Sequence, residues 1–222
     1  EGELLGLIGP NGAGKTTLIS QLSGTLRPDG GSVHFAGRDV THLNAHQRAM
    51  LGFARSYQIT SILNEFTVVE NVGIALQAVS GSSFRFWRPV AAETALEDEA
   101  MAILRQVGLE ALAARQARGL SHGEHRQLEI ALALATKPQL MLLDEPMAGM
   151  GPEQSENMVE LITGLKGRYT ILLVEHDMDA VFRLADRISV LVAGRVITTG
   201  LPDEIRGNAA VKSAYLGEET TN

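Results

Sequence analysis

The stretch "LGLIGPNGAGKTTL", Leu5 to Leu18, decides the fold. With Leu4 it begins as a short apolar run, Leu4-Leu5-Gly6-Leu7-Ile8, that stops at a Gly-Pro-Asn-Gly cluster, as a buried strand entering a loop does. The next eight residues, Gly9, Pro10, Asn11, Gly12, Ala13, Gly14, Lys15 and Thr16, fit the pattern G-x-x-x-x-G-K-[ST], and Thr17 extends it. Leu18, Ile19, Leu22 and Leu26 then recur at helical spacing, and Arg27-Pro28-Asp29-Gly30-Gly31 is expected to end that helix. Strand, glycine-rich loop and helix together build a phosphate cradle. Glycines let the backbone curl so that several N–H groups point inward, and the helix start adds its positive dipole end. Lys15 is expected to reach the β- and γ-phosphates of a nucleotide, and the Thr16 hydroxyl to ligate Mg²⁺.

Two later strands carry matching chemistry. Leu140-Met141-Leu142-Leu143 is apolar and runs into Asp144-Glu145. A strand-end Asp in phosphate-loop proteins holds Mg²⁺, usually through water, and Asp144 suits that role. Glu145 is placed to polarise an attacking water as general base. The run Thr170 to Val174 is followed by Glu175-His176-Asp177, where the His176 imidazole could donate to a γ-phosphate.

Elsewhere the chain alternates strands and helices at both ends, which implies a parallel-rich α/β core. Ser32–Ala36 and Arg38–Val40 around Gly37, and Ile188–Val192 and Arg195–Thr198 around Ala193-Gly194, read as small antiparallel hairpins. Residues 59–135 read mostly as helix, with Trp87 in "FRFWRP". The expected division is a catalytic lobe of residues 1–58 and 139–222 with a helical subdomain of residues 59–138 inserted between.

Bulk properties narrow the function. At 222 residues the chain can bury a substantial core, and a net charge of −7 with a pI near 5.4 argues against nucleic acid as the main partner. There is no cysteine, so disulfide and thiolate chemistry are excluded. No run reaches the ~18 apolar residues of a membrane-spanning helix, and no signal peptide is visible. The chain opens without Met inside strand-like sequence, and a few tens of preceding residues, including further strands, are expected.

These motifs, in this order and together with "LSHGE" at 120–124, resemble the ATP-binding subunit of ABC transporters over essentially the whole chain. "GPNGAGKTT" resembles the family's Walker A loop and "LMLLDEP" its Walker B strand; Gln58 in "RSYQI" matches the Q-loop glutamine, His176 the H-loop histidine, and Met147 to Gly151 the D-loop. The resemblance implies that Gln58 contacts Mg²⁺ and couples to membrane subunits, and that Ser121, His122, Gly123 and Glu124 form a signature motif acting on the ATP of a second subunit. It implies a P-loop NTPase core, ATP and Mg²⁺ as cofactors, and membrane permease subunits as partners. It further implies a second ATP-binding subunit (a paralogue or a second copy), an indirect link to a solute-binding protein, and a peripheral place on the cytoplasmic face of the inner membrane. "ARSYQITSILNEFTVVENV", "SSFRFWRP", "MAGMGPEQ" and "YLGEE" are similar to the branched-chain (hydrophobic) amino acid uptake branch; urea importers, lipopolysaccharide exporters and soluble ABC ATPases are the alternatives.

Three features depart from the family pattern. His122 stands where the signature's second residue is usually Gly, Glu124 where Gln is usual, and Gly151 where the D-loop commonly has Asp. The adenine-stacking aromatic of the family lies upstream of Walker A, so this stretch of chain is expected to bind ATP more weakly, by about a kcal/mol. Two helix-compatible histidine pairs, His42/His46 and His122/His125, lack an obvious third ligand and read as solvent-facing or structural rather than as a metal site. Arg85 and Arg88 beside Trp87 read as a solvated loop with one aromatic anchor.

Overall fold

The computed structural model describes residues 1–56, 62–79 and 90–216. It divides into two compact units, one of residues 1–53, 140–145 and 166–222 and one of residues 54–139 and 146–165.

The first unit is built on a mixed sheet. Its strands are β1 (Leu4–Ile8), β5 (Leu140–Asp144), β6 (Thr170–Val174), β7 (Arg187–Val192) and β8 (Arg195–Gly200), in the sheet order β5-β6-β1-β7-β8. The first four are parallel and β8 closes the edge antiparallel to β7. Beside β5 lies the Phe53 end of β4 (Phe53–Arg55), where the Leu140 N–H donates to the Gly52 carbonyl. The parallel strands are nearly continuous apolar runs because helices cover their faces. α1 (Lys15–Ser23) lies on β5 and α7 (Met178–Leu184) on β1, and Leu7, Ile19, Leu142, Leu172 and Leu191 share one core. Register fixes what this unit can do. Leu7 pairs with Val174, and Val174 with Asp144, so the C-terminal ends of three strands finish at one sheet edge.

The hairpins expected from sequence are present as β2 (His34–Phe35) with β3 (Arg38–Asp39), and as β7 with β8. Ala193 and Gly194 both take positive φ, the conformation a two-residue hairpin turn demands. One helix boundary differs from expectation. α1 ends at Ser23 rather than near Arg27, because Gly24 adopts φ +80° and its N–H folds back onto the last turn. Beyond it Leu26 is exposed. The end of α1 is then held by an unexpected residue. Arg48 sits in the short helix α2 (Ala45–Ala49) and is 1% exposed, and its guanidinium donates to the carbonyls of Gln21, Leu22, Leu43 and Thr41. A cation fits there because the last carbonyls of a helix carry partial negative charge and lack intrahelical donors.

The second unit is helical. α3 (Val68–Val79), α4 (Val90–Gln106) and α5 (His122–Ala135) pack on one another, with α6 (Pro152–Leu165) against α5. Leu128, Ile130, Leu132 and Leu134 of α5 are all buried, as the apolar body of that helix predicts. α6 is not among the expected helices, although Pro152 at its first position, Glu153 in its first turn and Met158, Leu161, Ile162 and Leu165 at helical spacing are its signals.

Arg48→Met keeps the side-chain volume and deletes every donor. It is expected to lower stability by about 2–4 kcal/mol, since buried carbonyls lose their partners. Chemical denaturation followed by circular dichroism measures this; an unchanged midpoint would show that Arg48 does not hold α1.

Candidate active site

The phosphate loop is tied down from two sides. The Ala13 N–H donates to the Pro10 carbonyl, and the Ala13 carbonyl accepts the N–H of Gly194 in the β7–β8 turn. Gly9 allows no side chain: a Cβ there would stand 2.0 Å from the Leu191 carbonyl oxygen of β7. Gly14 takes φ +100° as the N-cap of α1, and no side chain caps that helix start. The first amides of α1 therefore face the loop's concavity without an internal acceptor from the cap, which is the condition for receiving an anion. Lys15 is buried over this loop and its Nζ donates to the Gly9 and Pro10 carbonyls at 2.6 and 3.1 Å. Asn11, Gly12, Ala13, Gly14, Lys15, Thr16 and Thr17 line a cleft of about 250 Å³ together with Glu145 and His176.

Glu145 and His176 arrive from the ends of β5 and β6. The Glu145 N–H continues the ladder by donating to the Val174 carbonyl, yet its own φ is +49°, in the left-handed region that costs a non-glycine residue about 1–2 kcal/mol. That turn aims the carboxylate across the strand end, where Glu145 Oε1 lies 2.5 Å from His176 Nε2. His176 is itself held at both ends: its N–H donates to the buried Glu175 carboxylate, and the next residue, Asp177, caps α7 by accepting the Ala180 N–H. The pair joins one carboxylate and one imidazole at the rim of a phosphate-sized cleft. The imidazole can fix the carboxylate's orientation through Oε1, which leaves the other oxygen for a water molecule. Asp144 stands one residue earlier, half-buried at the end of β5. The Thr16 hydroxyl and Asp144 carboxylate are hard oxygen donors, the kind Mg²⁺ takes when substrate phosphates complete its shell.

In the helical unit the expected signature residues occupy the start of α5. Ser121 is the N-cap, its hydroxyl accepting the Glu124 N–H while the Glu124 carboxylate accepts the Ser121 N–H at 2.6 Å. This capping box engages part of the first turn's set of amides. Two are used internally, and His122 and Gly123 supply the other two. The turn borders a cavity of about 370 Å³ whose other wall includes Glu153, Gln154 and Asn157 of α6. Glu124, expected among the signature residues at the nucleotide, also serves the cap, and Ser-x-x-Glu is the spacing of a capping box.

His42 contacts Arg27 at 3.2 Å, and His122 contacts the Ala148 carbonyl. Gln58, Trp87, Arg85 and Arg88 lie outside the described residues.

A methyl group at Gly9 must displace either the phosphate loop or β7. Gly9→Ala is expected to weaken MgATP binding by more than about tenfold in isothermal titration, the cost of losing on the order of 1.4 kcal/mol of aligned amide contacts. Unchanged affinity would mean that the loop geometry is not what binds phosphate.

Residues 1–148 match the family model described as ABC transporter, and residues 195–221 match the model described as branched-chain amino acid ATP-binding cassette transporter. The chain is 40% identical to the high-affinity branched-chain amino acid transport ATP-binding protein LivG of Salmonella typhimurium, over 98% of this chain and 88% of that protein. It is 37% identical to the corresponding BraF protein of Pseudomonas aeruginosa, over 98% of this chain and 88% of that one. Among solved structures, an ATP-binding cassette of an ABC transporter in its ADP conformation superposes with a TM-score of 0.82 at 29% identity, covering 98% of this chain and 89% of that one. With the phosphate loop, the acidic strand end and the capped signature turn all in place, the chain belongs to the ABC transporter family, as one of its ATP-binding, ATP-hydrolysing cassettes.

Proposed function

We propose that this chain is the subunit whose ATP hydrolysis powers import of branched-chain or other hydrophobic amino acids. The match of residues 195–221 to the branched-chain cassette model carries the solute class, because this segment lies outside the phosphate loop and acidic strand that serve ATP itself. The LivG and BraF relatives, which carry that solute in their names, support the same reading.

On this reading the amides of the phosphate loop and Lys15 hold the β- and γ-phosphates. Thr16 and Asp144 hold Mg²⁺, which neutralises phosphate charge when bound; Gln58 joins them on sequence grounds alone. Glu145 takes a proton from water as the water oxygen attacks the γ-phosphorus, and the bond to the bridging oxygen breaks to leave ADP and phosphate. His176 keeps the Glu145 carboxylate aligned and lies within reach of the transferred group. Little covalent work is asked of the protein, so positioning and charge stabilisation supply the rate. Ser121 and Gly123 serve the ATP of a second cassette, so that two chains complete two sites. Among the described residues no helix is long and apolar enough to cross a membrane, and the reading places the chain on permease subunits at the cytoplasmic face.

Glu145→Gln is expected to cut phosphate release by at least about 100-fold while ATP-bound dimers accumulate in gel filtration. A wild-type rate would overturn the general-base assignment. Ser121→Arg should leave ATP binding by the single chain intact and prevent dimer formation; dimers unchanged in ATP would remove the second-subunit role. Deleting the encoding gene should lower uptake of labelled leucine, isoleucine or valine, whereas unchanged uptake of all three would exclude this solute class.

A further inference from the structure

The imidazole of His122 makes a contact that its position in the signature does not require. His122 is the first residue of α5, and its Nε2 lies 3.1 Å from the carbonyl oxygen of Ala148. A carbonyl only accepts, so Nε2 carries the proton and His122 donates. Ala148 belongs to the loop 146–151 that leads into α6, and both α5 and this loop lie in the helical unit. The loop reverses at Gly149, which takes φ +76°, and a Cβ built there would be 3.5 Å from the same Nε2. The ring thus lies against the turn itself. The next residue runs close to α6: a Cβ built on Gly123 would stand 3.3 Å from the Gln154 side chain. Side chains at Gly151, by contrast, would meet open space.

Two sequence departures coincide here. The usual glycine at position 122 has no side-chain donor to offer this loop, and the loop itself carries Gly151 in place of the common Asp. A hydrogen bond from the signature helix stands where the family pattern has a bare glycine, and it grips the loop that lacks its acid.

We infer that His122 is a positioning residue for ATP hydrolysis, tying loop 146–151 to the first turn of α5. Ser121, Gly123 and the turn at Ala148–Gly149 then form one rigid element rather than two that must be ordered separately when a second cassette closes on them. The His122 imidazole acts through this loop and not on the reacting atoms. The inference rests on the reading above that the signature turn works at an ATP shared between two cassettes.

Two measurements on the full chain test it. Long-range ¹H–¹⁵N spectra of ¹⁵N-histidine-labelled protein should show His122, identified by the signal lost in His122→Gln, as the Nε2–H tautomer. The Nδ1–H tautomer would overturn the contact. In steady-state hydrolysis His122→Ala should lower kcat about fivefold, the worth of one lost hydrogen bond. KM for ATP should change less than about twofold, because the cleft that loads nucleotide is lined by residues 11–17, Glu145 and His176. His122→Gln, whose amide N–H reaches a similar distance, should restore most of the lost kcat. Equal rates for the Ala and Gln variants, whether both normal or both low, would overturn the tether. Ser121→Arg run alongside separates the two levels: if it hydrolyses ATP normally, the shared-site reading fails, and if it is inactive while His122→Ala is normal, the tether alone fails.

Discussion

The turn from β1 into α1 is the constraint on which the catalytic unit depends. To present several amides to one phosphate, the backbone must fold back over the end of its own strand. That brings Gly9 so near the Leu191 carbonyl that a methyl group cannot fit. The closure is locked from outside by the Gly194 amide on the Ala13 carbonyl, so the β7–β8 hairpin is part of the nucleotide site although it carries none of the chemistry. Because β1 lies between β6 and β7, with β5 one strand further, the same sheet edge also receives Asp144, Glu145 and His176. The site is the product of one crossover pattern and one register.

Two helix starts in this chain are treated differently, and the difference is functional. α1 begins at a glycine and has no side-chain cap, so its amides are left for a ligand. α5 begins with a serine–glutamate capping box that satisfies two of its four first amides and leaves the pair at His122 and Gly123. An uncapped start costs stability that a bound phosphate can return. A half-capped start holds its shape without ligand, which suits a surface that must be ready before a partner arrives.

Much of this was legible in the sequence, because the decisive motifs are contiguous. The phosphate loop, the acidic strand end and the serine before α5 each lie within a few residues, and strand or helix periodicity beside them says where they sit. What could not be read depends on residues far apart. The Glu145–His176 contact spans 31 positions and the His122–Ala148 contact 26. The left-handed turn at Glu145 is imposed by pairing with β6, not by local preference, since glutamate does not favour it. No local signal marks Arg48 as buried, and only the folded chain brings the end of α1 to it. The early stop of α1 was readable at Gly24 but was masked by Leu26, whose helical spacing matched and whose side chain proves exposed.

Each chain carries a complete phosphate loop, and the proposed function gives it only half of what turns ATP over. The direct test is the specific rate of MgATP hydrolysis as a function of chain concentration at saturating ATP. Two-chain sites predict that the rate per chain climbs with concentration and levels off once the chains are paired. A rate per chain that stays constant on dilution would mean that a single chain holds the entire active site and that no second cassette takes part.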